Sequence, residues 1–323
     1  LNVRRIGAVN GLSHGIGVAD FETWASFGLI GGLGFVLGFA MNHGSICTFI
    51  ATTELISERR PARFLALAEC AVWAAIAYII LDKLPTMNGG WSPLVHMVGA
   101  AILFGVGVYV NGACIFGSVG HFGNGEMDFG FTFLGILVIL SLDSVFNLRA
   151  EPMPISASPP LALEALLVVL FVFLLLRLGV SIKSETNFRR LTLAMGTIGI
   201  TSATLSAFAP RFSVTTSVGS MLSIPVTSSL IFVCMFSGSL VSARIRRHQF
   251  SLSWPPTWKS VSRRTIGGLL MGFGALLIPG GNDTLLLVGL PMGAWQAFVA
   301  YLIMVAALAV LIARFGSTAR SWS

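Results

Sequence analysis

Cys47 and Cys114 are the residues best placed to do chemistry in this 323-residue chain. Each ends an apolar run whose glycine, nine residues earlier, opens a stretch interrupted by small or polar residues: Gly38-Phe-Ala-Met-Asn-His-Gly-Ser-Ile-Cys47 and Gly105-Val-Gly-Val-Tyr-Val-Asn-Gly-Ala-Cys114. A third copy, Gly272-Phe-Gly-Ala-Leu-Leu-Ile-Pro-Gly-Gly281, keeps the spacing without the thiol. An apolar helix breaks inside a membrane only where the freed backbone is buried in protein or lines something polar. The segments after the breaks, from Thr48, Ile115 and Asn282, read as the starts of new short helices. The N-terminus of such a half-helix offers free N–H groups and a partial positive charge to a small anion. A thiol beside it is a soft, weak donor that suits a sulfur-bearing anion, with no covalent step required. The alternative reading of both thiols is packing at a helix bend.

Other polar groups flank the breaks. Asn42, Asn111 and Asn282 either cap the interrupted helices or contact a solute, and His43 is either a hydrogen-bonded structural histidine or part of the path. Asp283 reads best as a cap for the half-helix it opens, with proton or cation coupling or a surface position as alternatives. Cys70 and Cys234 lie in uninterrupted apolar segments and read as small buried hydrophobes. Glu69 and Asp143 fall within apolar segments, where they either pair with arginine or face the interior of a bundle. No pair of cysteines has C-x-x-C spacing, no Cys/His cluster has metal-ligand spacing, and no P-loop pattern occurs. No cofactor is expected.

The elements that must position these residues are membrane helices. The chain is 55% hydrophobic and 10% charged, with a mean hydropathy of +0.85. Soluble domains carry roughly a quarter charged residues. About nine segments are long enough to span: about 24–42, 63–82, 95–112, 129–147, 161–178, 191–208, 219–242, 265–279 and 293–313. The first two motifs give the order span, break, span twice over in 24–147, and the third gives it again near the C-terminus. The region 161–242 reads as ordinary packing helices without a comparable break. No segment is long enough for a separate soluble core, so residues 1–323 read as one polytopic domain. Residues 1–20 contain no apolar core preceding the first span, so no cleavable signal peptide is expected. The start at Leu1 suggests a trimmed N-terminus.

The net charge of +7 and pI near 9.8 are distributed by topology rather than as a nucleic-acid footprint. Arg59, Arg60 and Arg63 follow the first span. Arg177, Lys183, Arg189 and Arg190 surround the end of the fifth. Arg244, Arg246, Arg247, Lys259, Arg263 and Arg264 follow the seventh, and Arg314 and Arg320 the last. The alternate connections carry only Lys83, Arg149 and Arg211, with Arg4 and Arg5 in the tail. This is the positive-inside bias. It puts the C-terminus and the basic 244–264 loop in the cytoplasm, and the tail 1–23 outside. Residues 113–128, with no Lys or Arg, give it no support. Trp254, Pro255, Pro256 and Trp258 in the loop read as interfacial anchors, with docking of a cytosolic partner as the alternative.

Together the three breaks resemble the YeeE/YedE (sulfur transport) family of bacterial inner-membrane proteins. The run Gly38 to Thr48 resembles its first signature, Asn111-Gly112-Ala113-Cys114-Ile-Phe-Gly117 its second, and Gly267-Gly268-Leu-Leu-Met-Gly272-Phe-Gly274 followed by Gly280-Gly281-Asn282 its third. The resemblance implies an all-α, hourglass-shaped membrane transporter, with internally repeated helices and broken or re-entrant half-helices, that takes up thiosulfate or a related small sulfur anion. It also implies a path of cysteines that pass the substrate by S–H contacts. Two of them match Cys47 and Cys114. The third position is Gly281 here, and Ala113 stands where the family usually has glycine, so a three-thiol relay cannot operate as such.

Three functions compete. The first is transport of thiosulfate or a similar anion past Cys114 and Cys47, with Asn111, His43, Gly281 and Asn282 along the path. The second is transport of another sulfur or selenium species, which the missing third cysteine favours. The third is a thiol-based membrane redox enzyme or sensor, in which His43, four residues before Cys47, activates the thiol. The first is adopted: a non-enzymatic transporter, expected to be monomeric in the bacterial inner membrane. Its partners are the sulfur anion, the lipid bilayer and, on the 244–264 loop, a cytosolic sulfur-carrier protein. Nucleic acid is not among them.

Overall fold

The computed structural model describes residues 15–82, 94–146, 163–184, 188–209, 212–221, 225–246, 250–278 and 280–316. Each of the nine expected apolar segments contains a helix: α1 (Gly15–Gly44), α3 (Ala62–Ile80), α4 (Leu94–Asn111), α6 (Gly130–Phe146), α7 (Leu163–Ser184), α8 (Phe188–Phe208), α10 (Pro225–Ile245), α11 (Trp258–Leu277) and α13 (Trp295–Phe315). Four short helices lie between them: α2 (Thr48–Ser57), α5 (Ile115–Gly123), α9 (Val214–Ser220) and α12 (Asn282–Thr284), the last continuing as one π-helical turn, Leu285–Gly289. Among the described residues, extended pairing is confined to the bridge between Glu126 and Ser253.

Six helical segments among the described residues are long and apolar enough to cross a membrane, or seven when α11 and α12, bent by 46° at their break, count as one. The expected count of nine is not reached on that measure. α6 has only 17 residues, and the described apolar stretch of α7 is Leu167–Val180. Two boundaries also differ from expectation. α1 begins at Gly15, so the end of the 1–23 tail is helical. α11 begins at Trp258, inside the expected 244–264 loop, because Thr257 caps it by accepting from the Ser260 N–H (3.3 Å).

The larger departure lies in 161–242, which does contain a break. α8 ends at Phe208, and α9 starts behind Ser213, whose side chain and Thr216 form a reciprocal capping box. Ser213 thus ends one segment and starts the next, as Ser and Thr do at helix N-termini. With this fourth half-helix the molecule is two copies of one unit: α1–α6 and α8–α13, each reading long, short, long, long, short, long.

The packing repeats under exchange of the two units. α1 packs on α10 as α8 packs on α3. α4 packs on α13 as α11 packs on α6. α2 touches α13 as α9 touches α6. α1 packs on α8, and α4 on α11, across the exchange axis. Two related units within one chain are the plan of many transporters. Close approach depends on missing side chains: a Cβ on Gly38 would overlap the Met235 backbone, and one on Gly238 the Phe35 backbone. Small residues of this kind let membrane helices touch along their backbones.

α7 stands outside the repeat. It is fixed by Arg177, which pairs with Glu69 of α3, both side chains wholly buried. Arg177 also donates to Thr192 (3.0 Å), and Trp73 Nε1 donates to Glu69 (3.0 Å). Glu69 is thus the arginine-paired carboxylate rather than a free group facing the interior. On the basic face, residues 250–253 lie along the α5–α6 connection: the Ser251 N–H donates to the Asn124 carbonyl (2.8 Å) and the Ser253 N–H to the Gly125 carbonyl (3.0 Å). Asp128 accepts from Ser260 and from Arg264 (3.0 Å). Partial burial works to raise the Asp128 carboxyl, but these hydrogen bonds hold it below the ordinary carboxylate range.

Candidate functional site

The four half-helices meet at the centre of the bundle, and each begins with a residue in extended conformation: Cys47, Cys114, Ser213 and Gly281. The first two hold each other. The Cys114 N–H donates to Cys47 Sγ (3.3 Å), and the Thr48 N–H donates to Cys114 Sγ (3.2 Å). Two N–H groups that a helix leaves unpaired at its start are thus satisfied crosswise by thiols. Gly117 makes room, since a Cβ there would strike Cys47 Sγ. All four cysteines are free of disulfides.

The second unit makes the corresponding contact with oxygen. Thr215 donates its N–H to Asp283 Oδ2 (3.1 Å) and its hydroxyl to Asp283 Oδ1 (2.6 Å). Asp283 is buried and ties α9 to α12, so its role is wider than capping its own half-helix. The space beside Gly281 is already taken: a Cβ would meet Thr215 Oγ1, the Ile115 side chain (2.8 Å) and Asp283 Oδ1 (2.9 Å). Asn282 joins the two units, donating to Thr48 Oγ1 (3.3 Å).

Cys47, Cys114, Gly281 and Asn282 therefore converge. Asn111 lies beside them but uses its amide within the break: it donates to the Ala113 carbonyl (2.7 Å) and Ser118 Oγ (3.0 Å), and accepts from Thr132 (2.8 Å). Asn42 donates to the Gly120 carbonyl (3.0 Å) and Asn124 Oδ1 (2.8 Å), bracing α1 against α5. A turn separates His43, in the last turn of α1, from Cys47. The chain passes through a left-handed residue at Ser45 (φ 50°), and the His43 ring stacks on Phe39, one turn back. The i, i+4 spacing would join His43 to Cys47 only in an unbroken helix.

Sequence reasoning missed Ser213 and Thr215. A signal was present: Ser213 with Thr216 has capping-box spacing.

Two narrow recesses approach Cys47 from the basic face. One runs past Ser45, Arg63 and Leu67, and the other past Asn42, Gly120 and Asn124. Both stop at the neck, where Cys47 is 2% exposed and Cys114 0%. Passage of an ion requires the half-helices to separate.

A polytopic helical bundle with a repeated unit and half-helices meeting at its centre fits the class of membrane transporters. Residues 43–182 and again 155–310 match the family described as sulphur transport. The chain belongs to this family, the YeeE/YedE proteins. No curated protein matches the chain.

Proposed function

We propose that the chain carries thiosulfate, or a closely related small sulfur anion, across the bacterial inner membrane through the neck between Cys47 and Cys114. The observation that carries this reading is the crosswise pair of thiols on half-helix amides at the bundle centre. When the neck opens, two sulfurs and two N–H groups become free together, and an anion with a terminal sulfur can replace each lost contact. The protein supplies positioning and charge compensation and makes no covalent bond, so it acts as a transporter and not an enzyme. In this reading it is a monomer with its basic face and C-terminus in the cytoplasm. The 244–264 segment, with Trp254 and Trp258 exposed, is the place for a cytosolic sulfur carrier to receive the anion.

The test is growth on thiosulfate as sole sulfur source in a bacterium lacking its own uptake systems. Wild type restores growth, and Cys114→Ala does not. A wild type present in the membrane that fails to restore growth overturns the assignment of thiosulfate. A second reading, transport of another sulfur or selenium species, rests on Gly281, where Thr215 and Asp283 occupy the space of a third thiol. Uptake of selenite or sulfite by a wild type that ignores thiosulfate would establish it.

A further inference from the structure

The chain has three tyrosines. The hydroxyl of Tyr78 donates to Ser206 Oγ (3.3 Å), and that of Tyr109 to the Gly316 carbonyl (3.1 Å). Tyr301 of α13 differs. It is 7% exposed, and its hydroxyl is buried without a hydrogen bond of normal length and angle. It nonetheless lies within reach of the Thr48 hydroxyl, Cys47 and Cys114. Thr48 is where the contacts of the neck meet: its N–H holds Cys114 Sγ, and its hydroxyl accepts from Asn282 Nδ2. Asn282 is wholly buried, and its Oδ1 is also without a partner.

Buried polar groups are almost always hydrogen-bonded, because leaving water without a new partner is costly. Packing of α13 on α2 explains the ring of Tyr301 but not its hydroxyl, which phenylalanine would lack. Asp283, the carboxylate next to Asn282, is already held through both oxygens by Thr215. It therefore leaves the Tyr301 proton unclaimed. A half-turn of the Asn282 amide lets Oδ1 accept from the Thr48 hydroxyl and frees Nδ2 as a donor. Tyr301 and Asn282 then offer uncharged donors beside the two thiols.

We propose that Tyr301, with Asn282, forms a subsite of the opened neck that takes the oxygen end of the anion while Cys47 and Cys114 take its sulfur. The inference rests on the transport reading for the class of ion. A site built to hydrogen-bond a group rejects the analogue lacking it, because its own buried polar atoms are then left unpaired. An ion of sulfur alone leaves the Tyr301 proton without an acceptor, and an ion of oxygen alone leaves the thiols without their contact. The neck thus selects an ion that carries both, and Tyr301 determines the oxygen half of that choice.

The experiment is the thermal unfolding midpoint of the purified full chain, titrated with thiosulfate at constant ionic strength. Wild type, Tyr301→Phe, Tyr78→Phe, Cys114→Ser and the double variant Tyr301→Phe with Cys114→Ser are compared. Without anion, Tyr301→Phe unfolds at the wild-type midpoint or above it, since its hydroxyl has no bond to lose. In wild type the midpoint rises saturably with thiosulfate, and Tyr301→Phe needs about tenfold more, equivalent to the loss of one hydrogen bond to the ion. Tyr78→Phe, which removes a bonded hydroxyl elsewhere, keeps the wild-type half-saturation. The losses in Tyr301→Phe and Cys114→Ser multiply in the double variant, as they do for groups that hold different ends of one ion. Four results would overturn the subsite: no saturable rise in wild type, an unchanged half-saturation in Tyr301→Phe, a lowered midpoint in Tyr301→Phe without anion, or a double variant no weaker than Cys114→Ser. Labelled thiosulfate entry into proteoliposomes separates the two readings. Tyr301-dependent binding without entry leaves the subsite standing and removes the transport assignment. Entry with wild-type half-saturation in Tyr301→Phe does the reverse.

Discussion

A sulfur atom accepts a hydrogen bond at longer range than oxygen and yields it more readily, which suits a contact that must be exchanged with a passing ion. At Cys114 the thiol takes the Thr48 N–H, and at Cys47 it takes the Cys114 N–H. The fit around them is tight enough to test without touching either thiol. Gly117→Ala places a methyl against Cys47, so it should destabilise the fold by about 1–3 kcal/mol, as overpacking of a closed core does. It should also abolish uptake while both thiols remain, with unfolding in detergent and uptake in vesicles as the measurements. Gly281→Cys should not restore a third thiol. Its Cβ meets Thr215, Ile115 and Asp283, so the expected outcome is a lower unfolding midpoint and no gain in thiosulfate uptake. A rise in uptake with unchanged stability would show that the Thr215–Asp283 contact yields easily.

Elements are set by local signals, and their legibility follows from the strength of those signals. The long helices were readable because apolar runs of their length have no other place to fold. The breaks at 45–47 and 112–114 were readable because Gly, Asn and Cys interrupt those runs. The break before α9 was not read as one, because it falls in the connection between the segments 191–208 and 219–242 and carries neither a cysteine nor the glycine spacing of the other three. Orientation of side chains was less legible still. The spacing of His43 and Cys47 fits one helical turn, but the left-handed residue at Ser45 separates them, and nothing in their spacing shows that turn. Glu69 and Arg177 are more than a hundred positions apart and form a pair that only the packing of α3 on α7 reveals. Removing one charge leaves the other buried alone, at a cost of about 3–5 kcal/mol. Arg177→Leu should therefore lower the unfolding midpoint sharply, and Arg177→Leu with Glu69→Leu should recover most of the loss. A double variant as unstable as the single one would show that Trp73 and Thr192, not the ion pair, hold α7 in place.

At the scale of the whole molecule the decisive feature is the pairing of two repeated units around a closed neck. Three of the four breaks carry a common glycine spacing, so repetition was legible in part. Its two-unit form was not, because the fourth break carries neither the glycine spacing nor a thiol, and because α7 interrupts the count. The two units differ at one point that matters for function: thiols close the neck in one, and Thr215 with Asp283 close it in the other. In the proposed transport, passage requires the contact between the thiols to open, and loss of one thiol should limit the rate. The most direct measurement is the initial rate of labelled thiosulfate entry into proteoliposomes containing wild type or Cys114→Ser. The serine keeps a hydrogen-bond acceptor for the Thr48 N–H, so the fold is retained while the sulfur contact is lost. Saturable entry with wild type, reduced by roughly tenfold or more in Cys114→Ser, is the predicted result. Equal rates in the two proteins, or no entry with a correctly folded wild type, would contradict passage of thiosulfate between Cys47 and Cys114.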